Sequence, residues 1–274
     1  MPNTVVAFLL SLIAGLSTGV GGLMGIFTKR NNDKFLTFAL GLSAGVMIFI
    51  SFVELLPESI ALLKGDGPGG WASGVKTMLG FFGGMGLIAL IDVLVPESEN
   101  PHEAANWDRV ADIKKGSPEE KQHKAKLHRT GVMTAIAIVA HNFPEGMATF
   151  VSAMRDPHLA LPIVIAIAIH NIPEGIAVAA PIYFATGNRW KGLGLAFLSG
   201  LAEPVGALLA WLVLAPFLSD TLYGILYAAI AGIMIYISFD ELLPSAEKYK
   251  MHHLSIFGVA VGMAIMALSL ALLK

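Results

Sequence analysis

Two short stretches place costly polar residues in apolar surroundings. AHNFPEGMA (140–148) and IHNIPEGIA (169–177) repeat the pattern His-Asn-x-Pro-Glu-Gly, twenty-nine residues apart. His141 and Glu145 stand at i, i+4, and Asn142 and Glu145 at i, i+3. On a helix, one carboxylate is then reached from two neighbouring positions. His170, Asn171 and Glu174 repeat that spacing, and a third acid, Glu203, follows in GLAEPVG. Two such helices facing each other would converge imidazoles, amide oxygens and carboxylates on one or two cations. A nitrogen and oxygen donor set suits Zn, Fe(II), Mn or Co better than Cu(I), and it is softer than a typical Ca or Mg site. The chain has no cysteine, so thiolate ligation and a Cys nucleophile are excluded.

The elements that must position these residues are membrane helices. Of 274 residues, 55% are hydrophobic and only 14% charged, with mean hydropathy +0.69. A soluble domain is nearer one quarter charged, so the composition predicts an all-α polytopic membrane protein. Net charge is −2 and no basic tail is present, which leaves a nucleic-acid role without support. About 20 apolar residues span the hydrocarbon as a helix. Eight stretches qualify, at roughly 4–27, 35–55, 72–94, 130–154, 159–184, 192–214, 221–243 and 254–273. The third is the weakest, trimmed by Lys76 and Asp92. No positive charge precedes Lys29, so the first stretch is expected to be a retained span, not a cleaved leader.

At about 1.5 Å per residue, both His-Asn-x-Pro-Glu blocks and Glu203 fall near mid-span. An ionised side chain there costs about 2.5–3.5 kcal/mol on insertion scales. No Lys or Arg lies in these three central windows, so the acids call for an external cation. Pro144 and Pro173 leave the carbonyls of Ala140 and Ile169 without their usual donors, and Gly146 and Gly175 leave room beside the site. Broken backbone of this kind is tolerated where it lines a cavity. A single intramembrane His is often only a helix–helix hydrogen bond; two copies with Glu203 favour metal binding over such structural glue.

A second duplication links ISFVELLPE (50–58) to ISFDELLPS (237–245), with seven of nine positions identical. It predicts that the first three and last three spans are an inverted repeat around the central pair, a 3+2+3 plan of the kind transporters use. Lys and Arg placement predicts both termini outside. Lys29, Arg30, Lys34, Arg189, Lys191, Lys248 and Lys250 would then be cytoplasmic, together with the polar loop 96–129. That loop, carrying His102, His123 and His128, is read as a solvated linker, with weak metal capture the alternative. Residues 1–274 form one transmembrane domain on this reading. Gly41-xxx-Gly45 and Gly258-xxx-Gly262 read as helix-packing positions.

HNFPEG on the fourth span, HNIPEG on the fifth, GLAEP on the sixth and the eight-span plan resemble the ZIP (Zrt-/Irt-like) family of divalent-metal transporters, in particular its bacterial zinc-uptake branch. The resemblance covers essentially the whole chain. It implies a binuclear site in which Asn142, Glu145, Asn171, Glu174 and Glu203 hold one metal. His170, with Glu145 and Glu174 bridging, would hold the other, and His141 is a further contact. It also implies a transport-path role for Met47 on the second span. Glu54, and Asp240 and Glu241 in the second copy of that motif, are path candidates; the family has a His or other polar residue where Glu54 stands. The implied activity is uptake of Zn2+, with Fe2+, Mn2+, Co2+ and Cd2+ as further substrates, through the cytoplasmic (inner) membrane. The implied motion slides spans 1, 4, 5 and 6 against 2, 3, 7 and 8. Metal ions and the bilayer are the expected partners, and a homodimer is compatible with the plan.

No catalytic cofactor is expected, and no Walker A sequence is present to cradle phosphates. The rival from another class is an intramembrane metal-dependent hydrolase. A zinc protease wants H-E-x-x-H, with a glutamate base beside two histidines. Here Asn follows each His. A non-transporting scaffold would leave three mid-span acids unexplained.

Overall fold

The computed structural model describes residues 2–27, 33–64, 70–94, 117–247 and 249–273, and every regular element among them is helical. Span 1 is α1 (Pro2–Phe27). Span 2 is α2 (Asp33–Ile50), a π turn (Ser51–Leu55) and α3 (Leu56–Leu63). Span 3 is α4 (Gly70–Leu94), span 4 α5 (Pro118–Arg155) and span 5 α6 (Pro157–Thr186). Span 6 is α7 (Arg189–Gly200) and α8 (Ala202–Leu209), with a π turn and a 3-10 turn after it. Span 7 is α9 (Asp220–Ile237), a π turn (Ser238–Leu242) and α10 (Leu243–Glu247), and span 8 is α11 (His252–Leu273).

Seven of these segments are long and apolar enough to cross a membrane by length and composition. The one outside that set is α5, whose apolar run is interrupted by the His141–Glu145 block and preceded by a charged first third. Its place as a span follows from its neighbours. Arg155 at its C-terminal end meets Asp220 at 2.7 Å, Glu58 at 3.7 Å and the ring of Tyr223 at 5.4 Å. That gathers the ends of spans 2 and 4 and the start of span 7 on one face, as alternation through eight spans requires. On the opposite face Arg189 lies 5.5 Å from the rings of both Phe27 and Tyr183, joining the ends of spans 1 and 5 to the start of span 6. Tyr249, between spans 7 and 8, belongs to this second face; burial pushes its phenol above the ordinary value and the charge of Asp33 adds to the rise.

The helix that carries the fourth span extends beyond the apolar stretch, starting at Pro118, because Ser117 caps it by accepting from the backbone N–H of Glu120 at 3.1 Å. Ser-x-x-Glu is a helix-start signal, and Pro at the first helical position is preorganised for it. His123 and His128 of the expected loop 96–129 therefore sit on helix; His102 lies outside the described residues.

The helices pack as two groups. α1, α5, α6, α7 and α8 pack on one another, while α2 packs on α11, and α3 and α4 pack on α9. Contact between the groups runs chiefly through α2 on α6, with less through α5 on α9. The partition matches the two halves implied by the family resemblance. It is also symmetric, since exchanging spans 1–3 with 6–8, and 4 with 5, turns α2·α11 into α9·α4 and α1·α6 into α8·α5.

Local structure repeats with the sequence. In each ISF-x-ELLP copy a serine Oγ donates to the carbonyl four residues earlier, Ser51 to Met47 and Ser238 to Met234, both at 2.7 Å. Pro57 and Pro244 then lack the N–H that would close the next turn. Back-bonding serines and a following proline loosen the i→i−4 ladder, and both copies widen into a π turn. The two Gly-xxx-Gly pairs face each other across α2 and α11. A Cβ at Gly41 or Gly45 would strike the carbonyl of Ser255 or Val259, and one at Gly258 or Gly262 that of Phe38 or Leu42.

Candidate metal centre

The two polar blocks lie inside the first group of helices. Asn142 and Glu145 are on α5, His170, Asn171 and Glu174 on α6, and Glu203 on α8; none of the six is more than 2% exposed. Pro144 and Pro173 are interior to their helices, so each block carries its own break in the backbone ladder. Span 6 breaks as well. Pro204 cannot donate to the carbonyl of Gly200, and the helix is interrupted at Leu201, just before Glu203.

Glycine sets how closely these helices approach. A Cβ at Gly146 would strike the Glu203 carbonyl, and one at Gly206 the Phe143 carbonyl. Span 6 thus lies backbone to backbone on span 4 at the level of Glu145. Span 1 lies the same way on span 5, where Gly175 abuts the carbonyl of Thr18 and Gly21 that of Ile172.

The side chains pair within this cradle. His170 Nε2 is 2.8 Å from Glu174 Oε1, the i, i+4 contact expected from the spacing. Asn171 Nδ2 donates to the Ala14 carbonyl at 3.0 Å and to Oε1 of Glu203, which ties spans 1, 5 and 6 together. Neither amide atom of Asn142 has a hydrogen-bond partner, although the residue is fully buried. Among the described residues no lysine or arginine is buried.

The described geometry consists of pairs. Among the described residues, no three His, Asp or Glu side chains come close enough together to hold a metal ion. The side chain of His141 lies outside the described residues. The asparagines and backbone carbonyls supply the remaining donors beside the two pairs. Met47 is fully buried in the central apolar cluster with Ala14, Ala148 and Ile167. Glu54 is buried on the first π turn, whereas on the second Glu241 is half-buried and Asp240 exposed.

The family resemblance grouped span 1 with spans 4, 5 and 6 but gave it no site residue, yet it borders the site through Ala14 and Thr18. The signal was present. Gly15-Leu16 and Val20-Gly21 recur as Gly200-Leu201 and Val205-Gly206, so GLSTGVGG on span 1 parallels GLAEPVGA on span 6.

A family profile of ZIP zinc transporters matches residues 94–270. A protein of Lysinibacillus sphaericus named zinc transporter ZupT is 54% identical over 99% of this chain and 98% of its own length. Its namesake in Streptococcus mutans is 53% identical over 97% of each chain, and that of Chlorobium phaeovibrioides 54% over 97% of each. Identity of this extent along the full length, together with the family profile, places the chain in the ZIP zinc transporter family.

Proposed function

We propose that the chain carries divalent transition-metal ions, Zn2+ foremost and Fe2+, Mn2+, Co2+ and Cd2+ as secondary substrates, across the cytoplasmic membrane into the cell without nucleotide hydrolysis. The observation that carries the reading is the buried set Asn142, Glu145, His170, Asn171, Glu174 and Glu203, enclosed with no buried lysine or arginine among the described residues. A permeating cation would supply positive charge to these three carboxylates. The His170–Glu174 separation of 2.8 Å supports the same view. Two ligands at about 2.0–2.1 Å on a tetrahedral ion sit about 3.3 Å apart, so a small relaxation admits the metal. The duplicated blocks on α5 and α6 support two metal positions, with Glu145 and Glu174 bridging and His141 as a further ligand of the His170 position. Direction follows from charge. The face holding Arg189, Lys191 and Lys250 is the cytoplasmic one by the positive-inside tendency, which leaves both termini outside. The two packed groups supply the moving halves.

The test is zinc entry into proteoliposomes, comparing wild type with Glu145→Ala and Glu174→Ala. Wild type should load the vesicles and both variants should fall to near the empty-vesicle rate. Wild-type flux equal to that of empty vesicles refutes transport. Peptide hydrolysis by wild type, lost in the same variants, would replace it with the hydrolase.

A further inference from the structure

Helices α1 and α8 are symmetric partners around the metal centre, and the symmetry is carried by backbone contacts. A Cβ at Gly15 would strike the carbonyl of Gly200, and one at Gly200 the carbonyl of Gly15. A contact in which each residue meets its own equivalent marks a two-fold axis. The flanking contacts obey it. Gly175 meets Thr18 as Gly146 meets Glu203, and Gly21 meets Ile172 as Gly206 meets Phe143. The same correspondence pairs His141, Asn142 and Glu145 with His170, Asn171 and Glu174. Under it the equivalent of Glu203 is Thr18, and the pair Asn171–Glu203 has as its counterpart Asn142–Thr18.

We propose that Thr18 and Asn142 form a charge-neutral oxygen subsite for a divalent cation, opposite the anionic subsite of Glu203 and Asn171, and that the Thr18 hydroxyl is a metal-specificity residue. The inference rests on the reading of the centre as a metal site. Thr18 Oγ1 and both amide atoms of Asn142 are fully buried and without a hydrogen-bond partner, whereas Asn171 is bonded to Glu203. Nearby serines behave otherwise. Ser11 and Ser17 satisfy themselves on the carbonyls of Ala7 and Ala14 within their own helix. Thr18 has the same recourse and does not take it. A buried polar group left unpaired is costly, and a hydroxyl and an amide oxygen are both neutral hard donors. Together they suit a cation that prefers oxygen. An ion shared by the two subsites thus meets the Glu203 carboxylate on one side and the neutral Thr18 hydroxyl in the equivalent place on the other, with Glu145 and Glu174 between them. That difference lets the Thr18 side release what the Glu203 side retains.

The experiment is equilibrium binding of Zn2+, Mn2+ and Cd2+ to the purified full chain, comparing wild type, Thr18→Val, Thr18→Ser and, in parallel, Glu203→Gln. Valine keeps the shape and removes the hydroxyl. Thr18→Val should weaken Mn2+ binding about threefold to tenfold, as for loss of one neutral oxygen partner. Its Cd2+ affinity should change less, because cadmium is the softer ion. Thr18→Ser should restore wild-type binding. Wild-type affinities for all three ions in Thr18→Val overturn the proposal, as does an equal loss in the Val and Ser variants, which would make the residue a packing element. If Glu203→Gln also leaves Zn2+ binding unchanged, the metal-site reading itself fails. If Glu203→Gln abolishes binding while Thr18→Val does not alter it, only the Thr18 subsite falls.

Discussion

Replacing Gly146 by alanine adds one methyl group at the closest approach of spans 4 and 6. The added Cβ would overlap the backbone carbonyl of Glu203, with the Glu203 Cα also at 2.5 Å, where ordinary contact begins near 3.4 Å. Neither atom belongs to a flexible side chain, so relief requires α8 to back away from α5 by about 1 Å. Overpacking of this kind costs about 1–3 kcal/mol. For a chain of this size that is a loss of about 2–12 °C in melting temperature. Displacement also carries Glu203 off its position, and coordination tolerates only about 0.2 Å. Zinc affinity should therefore fall by about tenfold or more, within the range seen when ligand support is lost. Gly194→Ala is the matched control, on the same span but with nothing within 4 Å of the added Cβ. There alanine gains up to about 1 kcal/mol of helix propensity, so stability should hold or rise. Thermal unfolding in detergent and zinc titration read both effects. Wild-type melting and affinity in Gly146→Ala, or equal damage from Gly194→Ala, would refute the backbone-contact argument.

Three further outcomes follow from contacts at the two faces. Arg155→Gln removes an ion pair worth about 0.5 kcal/mol at such exposure and a cation–π contact worth about 0.5–1 kcal/mol. Hydrogen exchange across Asp220–Tyr223 should rise by about 5- to 10-fold in the variant; unchanged exchange contradicts the role. Tyr249 has a raised folded-state pKa against an unfolded value of 10.0. Its contribution is complete below pH 10 and lost as pH rises towards the folded pKa. Tyr249→Phe should therefore lose less stability than wild type in alkaline melts above about pH 10, and parallel losses would discount the burial. Because the chain has no cysteine, single-cysteine variants report sidedness cleanly. A thiol at Trp190 should label only from the cytoplasm and one at Ser219 only from outside, and the reverse pattern inverts the assigned topology.

Much of this architecture was legible because it is written in charge and proline. Glu145, Glu174 and Glu203 stand out against apolar sequence, and the duplication of ISFVELLPE in ISFDELLPS pointed to a repeat whose two copies each carry a π turn. The residues of span 1 that border the site were not legible, for the opposite reason. Span 1 reaches the centre through the Ala14 carbonyl and the Thr18 backbone, groups every residue owns, within a run that carries no charge. The polar composition of 118–129 marks no membrane span, but the helix-start signal at Ser117 places the start of α5 there. The partition of spans into two groups depends on small residues meeting across helices, as Gly41 meets Ser255. The Gly-xxx-Gly spacing marks a packing face within one segment, but not which helix it will meet.

The arginine contacts at the two faces differ in what they join. Arg189 touches Phe27 and Tyr183, all within one group of helices. Arg155 reaches from α5 to Glu58 and Asp220, which belong to the other. Of these two arginines, one fastens a half to itself and the other buckles the halves together, at one face alone. Sliding one half past the other would have to unfasten that buckle first. Its charges are partly to fully exposed, so raising the ionic strength loosens it without touching the metal ligands. On the proposed sliding motion and topology, salt outside the cell would become a setting on how readily the carrier turns over, independent of how tightly it grips its ion.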